Sequence, residues 1–351
     1  MPVESPASTE PLRDALARPL RDLRISVTDR CNFRCTYCMP AEIFGERYTF
    51  LARDEILTFE EIERLVAVLV PLGIEKLRIT GGEPLLRHNL PQLIRQLRDR
   101  TGIQDVALTT NGTLLKRMAG QLRREGLTRM TISLDSLDED IFHRMNGEKL
   151  SVAAVLEGIE TAAAAGFAPV KINCVVQKGV NDHTLVDLAR HFKGTGHIVR
   201  FIEFMDVGTR NGWDMKQVVT GEEIAGLIGA ELPIEPEEPN YFGEVARRWR
   251  YADGSGEIGI ITSVSQPFCG DCTRARLTTD GQLVTCLFAT GGTDLRGPLR
   301  AGASDDELRE IVRAIWTNRH DRYSEERTAI LAEEGEGGER EGRVEMYQIG
   351  G

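Results

Sequence analysis

The chain has 351 residues, of which 41% are hydrophobic, and its formal net charge at pH 7 is −11. Its length suits one large domain with additions, and the acidic balance argues against bulk affinity for nucleic acid. The sequence contains no run of about 18 apolar residues, so we do not expect a membrane span. The first residues lack the pattern of a secretion signal, so we expect residues 1–19 to be a disordered extension of a cytoplasmic protein.

Strand-like and helix-like patterns alternate from residue 23 to residue 206. The predicted strands are 23–27, 76–80, 105–109, 130–134, 170–176 and 199–204, and the predicted helices are 58–72, 90–100, 114–126, 151–166 and 183–192. This alternation predicts a parallel sheet, which right-handed crossovers would curl into a partial (βα)6 TIM-like barrel of the α/β class. Six strands are fewer than the eight of a closed barrel, so we expect a lateral opening.

The composition changes at residues 232–240, which contain three prolines and three glutamates. We therefore divide the chain into a partial barrel at 20–231 and a C-terminal region at 232–351. Within that region, residues 304–320 have the pattern of an amphipathic helix. Residues 324–343 are rich in glutamate and glycine, which favours a solvated loop.

Six of the seven cysteines fall into two groups of three. Cys31, Cys35 and Cys38 have C-x3-C-x2-C spacing, and Cys269, Cys272 and Cys286 have C-x2-C-x13-C spacing. The odd total of seven cysteines disfavours a disulfide framework, and structural zinc sites usually have four ligands nearby. An iron–sulfur cube bound by three thiolates keeps one iron open, so we favour cubes over zinc in both groups. Cys174 stands alone and is expected to be a small buried hydrophobe.

Two arginines follow Cys269 and Cys272 at alternate positions. Arg274 and Arg276 would share one face of a strand, although exposed, solvated arginines are the alternative. Guanidinium groups suit phosphate oxygens, so an arginine pair beside an open iron indicates an anion site.

The motifs resemble those of a known superfamily. Residues 24–40, with Tyr37 before the last cysteine, and the Gly-Gly-Glu-Pro segment at 81–84 resemble the radical S-adenosylmethionine (SAM) superfamily. With the second cysteine group and the terminal Gly-Gly, the chain from about residue 20 onward resembles the GTP 3′,8-cyclase family. The resemblance implies a C-terminal extension that carries a second iron–sulfur cluster.

The resemblance also implies an activity, radical cyclisation of GTP to (8S)-3′,8-cyclo-7,8-dihydroguanosine 5′-triphosphate, the first step of molybdenum cofactor biosynthesis. The implied cofactors are SAM and two [4Fe-4S] clusters, one on each cysteine group. Implied partners are an electron donor, the downstream cyclic pyranopterin monophosphate synthase, and a second copy in a homodimer, with no nucleic acid or membrane.

Family positions also assign contacts. For SAM they are Tyr37, Gly82, Ser133 and Met205; for GTP they are Arg24, Arg78, Thr109, Lys171, Arg274 and Arg276, with Lys76 a weaker candidate and the tail residues Gly350 and Gly351 reaching into the site. Two other functions stay open. One is a radical SAM enzyme that acts on a peptide, although such enzymes usually have more C-terminal cysteines. The other is an iron–sulfur electron carrier, which would normally supply four cysteines to each cube.

Overall fold

The computed structural model describes residues 10–147, 150–334 and 342–350, and these form one twelve-stranded sheet. The strands are β1 (Asp22–Ser26), β2 (Lys76–Thr80), β3 (Asp105–Thr110), β4 (Arg129–Ser133), β5 (Lys171–Val176), β6 (Ile198–Glu203), β7 (Ile234–Glu237), β8 (Arg247–Tyr251), β9 (Glu257–Ile261), β10 (Arg274–Leu277), β11 (Gln282–Val284) and β12 (Thr293–Asp294). The six strands predicted for the barrel are β1 to β6, and each boundary agrees within one residue.

The described residues also form eleven α-helices. They are α1 (Phe59–Leu69), α2 (Leu90–Thr101), α3 (Leu115–Arg124), α4 (Glu139–Asn146), α5 (Val152–Ala164), α6 (Leu185–Phe192), α7 (Gly221–Glu231), α8 (Arg296–Arg300), α9 (Asp305–Thr317), α10 (Tyr323–Glu334) and α11 (Met346–Ile349). Helices α4, α7, α8 and α11 were not predicted. Helix α7 begins at a capping box between Thr220 and Glu223, which is a recognisable start signal. None of the helices in the described ranges is long and apolar enough to cross a membrane.

The strand order explains how the C-terminal region joins the barrel. Strands β1 to β6 are parallel and lie in chain order, while β10 pairs with β1 and β9 pairs with β6, both also in parallel. Antiparallel strands β11 and β12 complete one edge, and β8 and β7 complete the other. The sheet is not closed, as predicted, but the C-terminal region extends both of its edges.

Alternation along the strands separates a core face from a cavity face. In β1, Leu23 and Ile25 are at most 1% exposed and pack into the main apolar core. Each such side chain contributes about 1.5–3 kcal/mol when it is buried. Asp22 and Arg24 alternate with them and therefore face the concave side of the sheet.

Two predictions about irregular segments are wrong over the described residues. Residues 10–19 were expected to be disordered, yet Asp14 and Arg18 are buried and Leu12 N donates to Leu72 O at 2.8 Å. Residues 1–9 lie outside the described residues. Much of the predicted loop at 324–343 is helix α10, which Arg327 anchors by donating from Nε to Asp206 Oδ1 at 2.9 Å. This buried ion pair explains why an acidic, polar sequence is ordered here.

Candidate active site

The concave face of the sheet carries charged side chains. In closed barrels, packed branched residues fill this space. Here the parallel strands place polar residues there instead, and they line a cavity that also contains the second cysteine group; it includes Arg24, Lys76, Arg78, Thr109, Lys171, Arg200, Met205, Cys269, Cys272, Arg274, Arg276 and Cys286. The interior is therefore built to hold a polar ligand.

Three arginines lie at one level of neighbouring strands. Arg24 is the register partner of Arg276 on β10 and of Arg78 on β2. Burial and repulsion from Arg276 and Arg78 lower the pKa of Arg24, and burial also lowers the pKa of both neighbours. Among the described residues, Nε and Nη1 of buried Arg276 have no hydrogen-bond partner. An anion bound in the cavity would offset this repulsion and satisfy these donors.

The other predicted GTP residues lie along the same face. Arg78 Nη1 donates to Thr109 Oγ1 at 3.1 Å, and Lys171 is the register partner of Thr131 on the next strand. Burial, reinforced by Arg200, lowers the pKa of Lys171 to about 8. The structure thus brings Thr109 and Lys171 into the cavity that Arg24, Arg78, Arg274 and Arg276 line.

Two further arginines in this cavity were not predicted as site residues. Arg200 on β6 donates from Nε to Asn173 Oδ1 at 3.0 Å, and burial followed by repulsion from Arg78 lowers its pKa. Arg129 on β4 forms a two-pronged ion pair with Asp105, with N–O distances of 2.6 and 2.8 Å. Arg200 lies within the predicted strand 199–204, which was the available signal, whereas Arg129 lies one residue before the predicted strand 130–134. Lys76 lies there too, with Nζ 3.7 Å from the ring centroid of Tyr241.

The second cysteine group lies at the amino end of β10. Cys269 begins a short turn in which Cys272 N donates to Cys269 O at 3.2 Å, and Cys286 follows β11. Burial acts to raise the pKa of Cys272, but Arg274 and Arg319 outweigh it and bring the pKa to about 6. Burial raises the pKa of Cys286 to about 11. Three converging thiols, one of them readily ionised, suit a soft iron–sulfur centre.

The first cysteine group lies in the loop beyond the carboxyl end of β1. Burial and nearby Glu83 raise the pKa of Cys31 to about 12, and burial together with Cys31 and Cys38 raises that of Cys35. Cys38 N donates to Cys35 O at 3.0 Å, and Cys31 and Cys38 pack against one apolar cluster, so the three cysteines are neighbours, as a shared cluster requires. Within the described ranges, no three His, Cys, Asp or Glu side chains are arranged to hold a single metal ion.

The Gly-Gly-Glu-Pro segment holds the cysteine loop in place. Gly82 N donates to Thr28 O at 2.8 Å and Glu83 N donates to Arg30 O at 2.8 Å. A Cβ on Gly82 would lie 2.4 Å from Arg30 O, so backbone packing alone requires glycine here. Glu83 is buried and accepts hydrogen bonds from Thr110 Oγ1 and Asn111 N, while burial raises its pKa to about 7.

The remaining predicted SAM residues follow other strands at the same carboxyl edge. Tyr37 donates its hydroxyl proton to Asp135 Oδ2 at 2.8 Å. Ser133 is the last residue of β4, and Met205 follows β6 and lines the cavity. Tyr37 and Met205 pack against one apolar cluster that includes Phe204. The structure therefore brings these residues to the edge that carries the first cysteine group.

The C-terminal tail lies over this edge. The hydroxyl oxygens of Tyr347 and Tyr48 are 2.8 Å apart, and Tyr347 belongs to an apolar cluster against which Cys31 and Cys38 pack. Gly350 has φ +63°, and a Cβ there would lie 2.2 Å from the Thr80 side chain. Glycine is thus required at position 350, while Gly351 lies outside the described residues.

Comparison with known proteins agrees with this geometry. Residues 25–192 match the radical SAM superfamily, and residues 197–325 match the molybdenum cofactor synthesis C family. The structure of SuiB from Streptococcus suis bound to S-adenosylmethionine has a TM-score of 0.53 at 16% identity, covering 77% of this chain. This chain spans 60% of that protein, and the likeness concerns the fold.

Relatives that match over nearly the whole chain are named GTP 3′,8-cyclase. The protein from Acidothermus cellulolyticus is 51% identical, covering 98% of this chain and 100% of the relative. Those from Xanthomonas axonopodis pv. citri and Staphylococcus haemolyticus are 50% and 49% identical, over 98% and 97% of this chain and 100% and 99% of their own lengths. This chain belongs to the GTP 3′,8-cyclase family of radical SAM enzymes.

Proposed function

We propose that the chain cyclises GTP to (8S)-3′,8-cyclo-7,8-dihydroguanosine 5′-triphosphate and uses two [4Fe-4S] clusters to do so. One observation carries the proposal: two three-cysteine groups lie toward opposite ends of the β1–β10 strand pair, with Arg24 and Arg276 between them. A bound nucleotide along this pair would have its phosphates among cations. The ribose would then lie toward the first cysteine group, at one end of the cavity, and the guanine base toward the second, at the other end.

The first cluster would be bound by Cys31, Cys35 and Cys38, and SAM would contact Tyr37, Gly82, Ser133 and Met205. The chemistry that this cluster and SAM supply, when bound, is the abstraction of a hydrogen atom from C3′ of the GTP ribose. The protein must hold that carbon in place and exclude water, because a carbon radical reacts indiscriminately. The tail residue Gly350, held against Thr80, helps to close this edge of the site.

The second cluster would be bound by Cys269, Cys272 and Cys286 and would anchor the guanine base at its open iron. Arg24, Arg78, Thr109, Lys171, Arg274 and Arg276 would bind the rest of the nucleotide, with Lys76 and Arg200 beside them. Charge-assisted hydrogen bonds from guanidinium groups suit phosphate oxygens in a cavity of low dielectric constant. Gly351 would extend the tail toward the nucleotide.

The resemblance to the family is also the basis for the wider proposal. It includes a barrel at residues 20–231, a cluster-bearing region at 232–351, a homodimer, a cytoplasmic location, an external electron donor, and transfer of the product to cyclic pyranopterin monophosphate synthase.

Anaerobic reconstitution tests the function directly. The protein should contain about eight iron atoms per chain, four for each cube. Incubation with GTP, SAM and dithionite should give the cyclised nucleotide and 5′-deoxyadenosine in equal amounts. Formation of 5′-deoxyadenosine without dependence on GTP would favour the peptide-modifying alternative, and a lack of SAM cleavage would favour the electron carrier.

A further inference from the structure

Arg319, which follows α9, contacts the second cysteine group from within the protein. Its side chain is buried, and its Nη2 donates to Cys272 Sγ at 3.2 Å while Nη1 donates to Cys272 O at 2.9 Å. The remaining Nε donates to Asp321 Oδ2 at 3.2 Å. All three nitrogens therefore have protein partners, unlike those of Arg276. Arg319 lines the cavity, and these contacts hold its guanidinium group toward Cys272.

An aspartate from the N-terminal segment fixes this arginine. Arg319 Nη1 lies 3.1 Å from Asp14 Oδ2, and the same carboxylate oxygen lies 2.6 Å from Arg18 Nε. Arg18 Nη1 in turn donates to Cys269 O at 2.9 Å. Arg18 and Arg319, which Asp14 joins, therefore hold two backbone carbonyls of the second cysteine group. One is that of Cys269, at the start of the Cys269–Asp271 turn, and the other is that of Cys272, just after it.

This arrangement has consequences for a cluster bound here. A hydrogen bond to a thiolate ligand and a nearby positive charge both stabilise the reduced cluster, which carries one more negative charge. Arginine keeps its charge when it is buried, so the effect is permanent. The ring of Trp316, with its centroid 4.5 Å from the guanidinium carbon, further limits where this group can move.

We propose that Arg319 is a positioning residue that raises the reduction potential of the second cluster by donating to Cys272 Sγ, and that Asp14 and Arg18 hold it in that geometry. The inference rests on the proposed two-cluster function. It makes residues 10–19 part of the second-cluster site. Electron transfer into this cluster would then depend on a segment far from it in sequence.

Redox titration followed by electron paramagnetic resonance tests this proposal. The parent is the full chain with Cys31, Cys35 and Cys38 changed to Ala, so that only the second cluster contributes. Arg319→Met should lower the reduction potential, and Arg319→Lys, which keeps the charge, should lower it less. The matched control is Arg313→Gln on α9, the helix before Arg319. The exposed Arg313 side chain pairs with Glu310, and its replacement should leave the potential unchanged.

Asp14→Glu supplies a second test that keeps both Arg319 itself and the carboxylate charge. It should lower the potential by a smaller amount, because the longer side chain displaces the guanidinium from Cys272 Sγ while the local charge is unchanged. Should Arg319→Met fail to retain its cluster, a lower potential in Arg319→Lys and Asp14→Glu supports the proposal, and the parent value in both overturns it. A parent chain with no second-cluster signal contradicts the two-cluster function instead.

Discussion

Arg24 and Arg276 are register partners on neighbouring parallel strands, and a cysteine group lies toward each end of that pair. Cys31 comes after β1 at its carboxyl end, whereas Cys272 comes before β10 at its amino end. The five residues of β1 span about 13 Å at the usual rise of a strand. The arginine pair therefore marks the middle of a cavity whose two ends carry different cysteine groups.

Replacing Arg276 should weaken nucleotide binding without destabilising the empty protein. Arg276→Met keeps most of the side-chain volume but removes two unpartnered donors and relieves repulsion on Arg24. Loss of a charge-assisted hydrogen bond costs about 1.5–3 kcal/mol, so GTP binding should weaken about 10- to 100-fold. Calorimetric titration of the anaerobic protein with GTP measures the first effect, and urea unfolding of the cluster-free chain measures the second.

Arg100→Met on α2 is the matched control, since that side chain is exposed and does not line the cavity. It should leave GTP binding unchanged. A large loss of unfolding free energy in Arg276→Met would mean that Arg276 is primarily structural, and unchanged GTP affinity would remove it from the substrate site.

Lys171 should make GTP binding depend on pH. Burial and Arg200 lower its pKa to about 8, below that of a free lysine, so the empty site loses this positive charge as the pH rises through 8. The affinity for GTP should therefore be highest below pH 8 and decline between about pH 8 and 9. Binding measured at constant ionic strength between pH 7 and 9 checks this.

Lys171→Arg separates this lysine from other titrating groups. A guanidinium keeps its proton throughout this range, so the variant should bind GTP with a flatter pH profile. An equally steep decline in the variant would assign the pH dependence to a group other than Lys171.

The sequence predicted the parallel strands and the residues that short motifs mark. Arg274 and Arg276 were visible because their alternate spacing follows a cysteine pair. Arg200 had the same kind of signal on a predicted strand but no motif beside it. Its role depends on Asn173 and Arg78, which lie on other strands.

The contacts of the second cysteine group were not predictable in the same way. Asp14 and Arg319 are about 300 residues apart in sequence, and only folding brings them together. The positions of β9 and β10 at opposite edges of the barrel were likewise not predictable, because strands of five and four residues carry little information about their partners. Helix α10 was mistaken for a loop because its order depends on the distant carboxylate of Asp206.

Gly350→Ala should displace the tail. The new Cβ would lie 2.2 Å from the Thr80 side chain, and φ +63° adds a conformational cost of about 1–2 kcal/mol. Product formation should fall about 100-fold, as expected for a misplaced catalytic geometry, while iron content stays at the parent value. Gly179→Ala is the control, because Gly179 has a similar φ of +74° but nothing within 4 Å. Parent activity in Gly350→Ala would rule out a role for the tail in the site.

Cys286→Ser should remove one cluster and leave the other. A serine hydroxyl is a harder ligand than a cysteine thiol and loses its proton less readily. The iron content should therefore fall from about eight to about four atoms per chain. Reductive cleavage of SAM should continue, because the first cysteine group is intact, but the cyclised nucleotide should not form. Cys174→Ser is the control, since Cys174 is buried outside both groups and its Sγ donates to Asp135 O at 3.4 Å. Full iron content with normal cyclisation in Cys286→Ser would show that this thiol is not a cluster ligand.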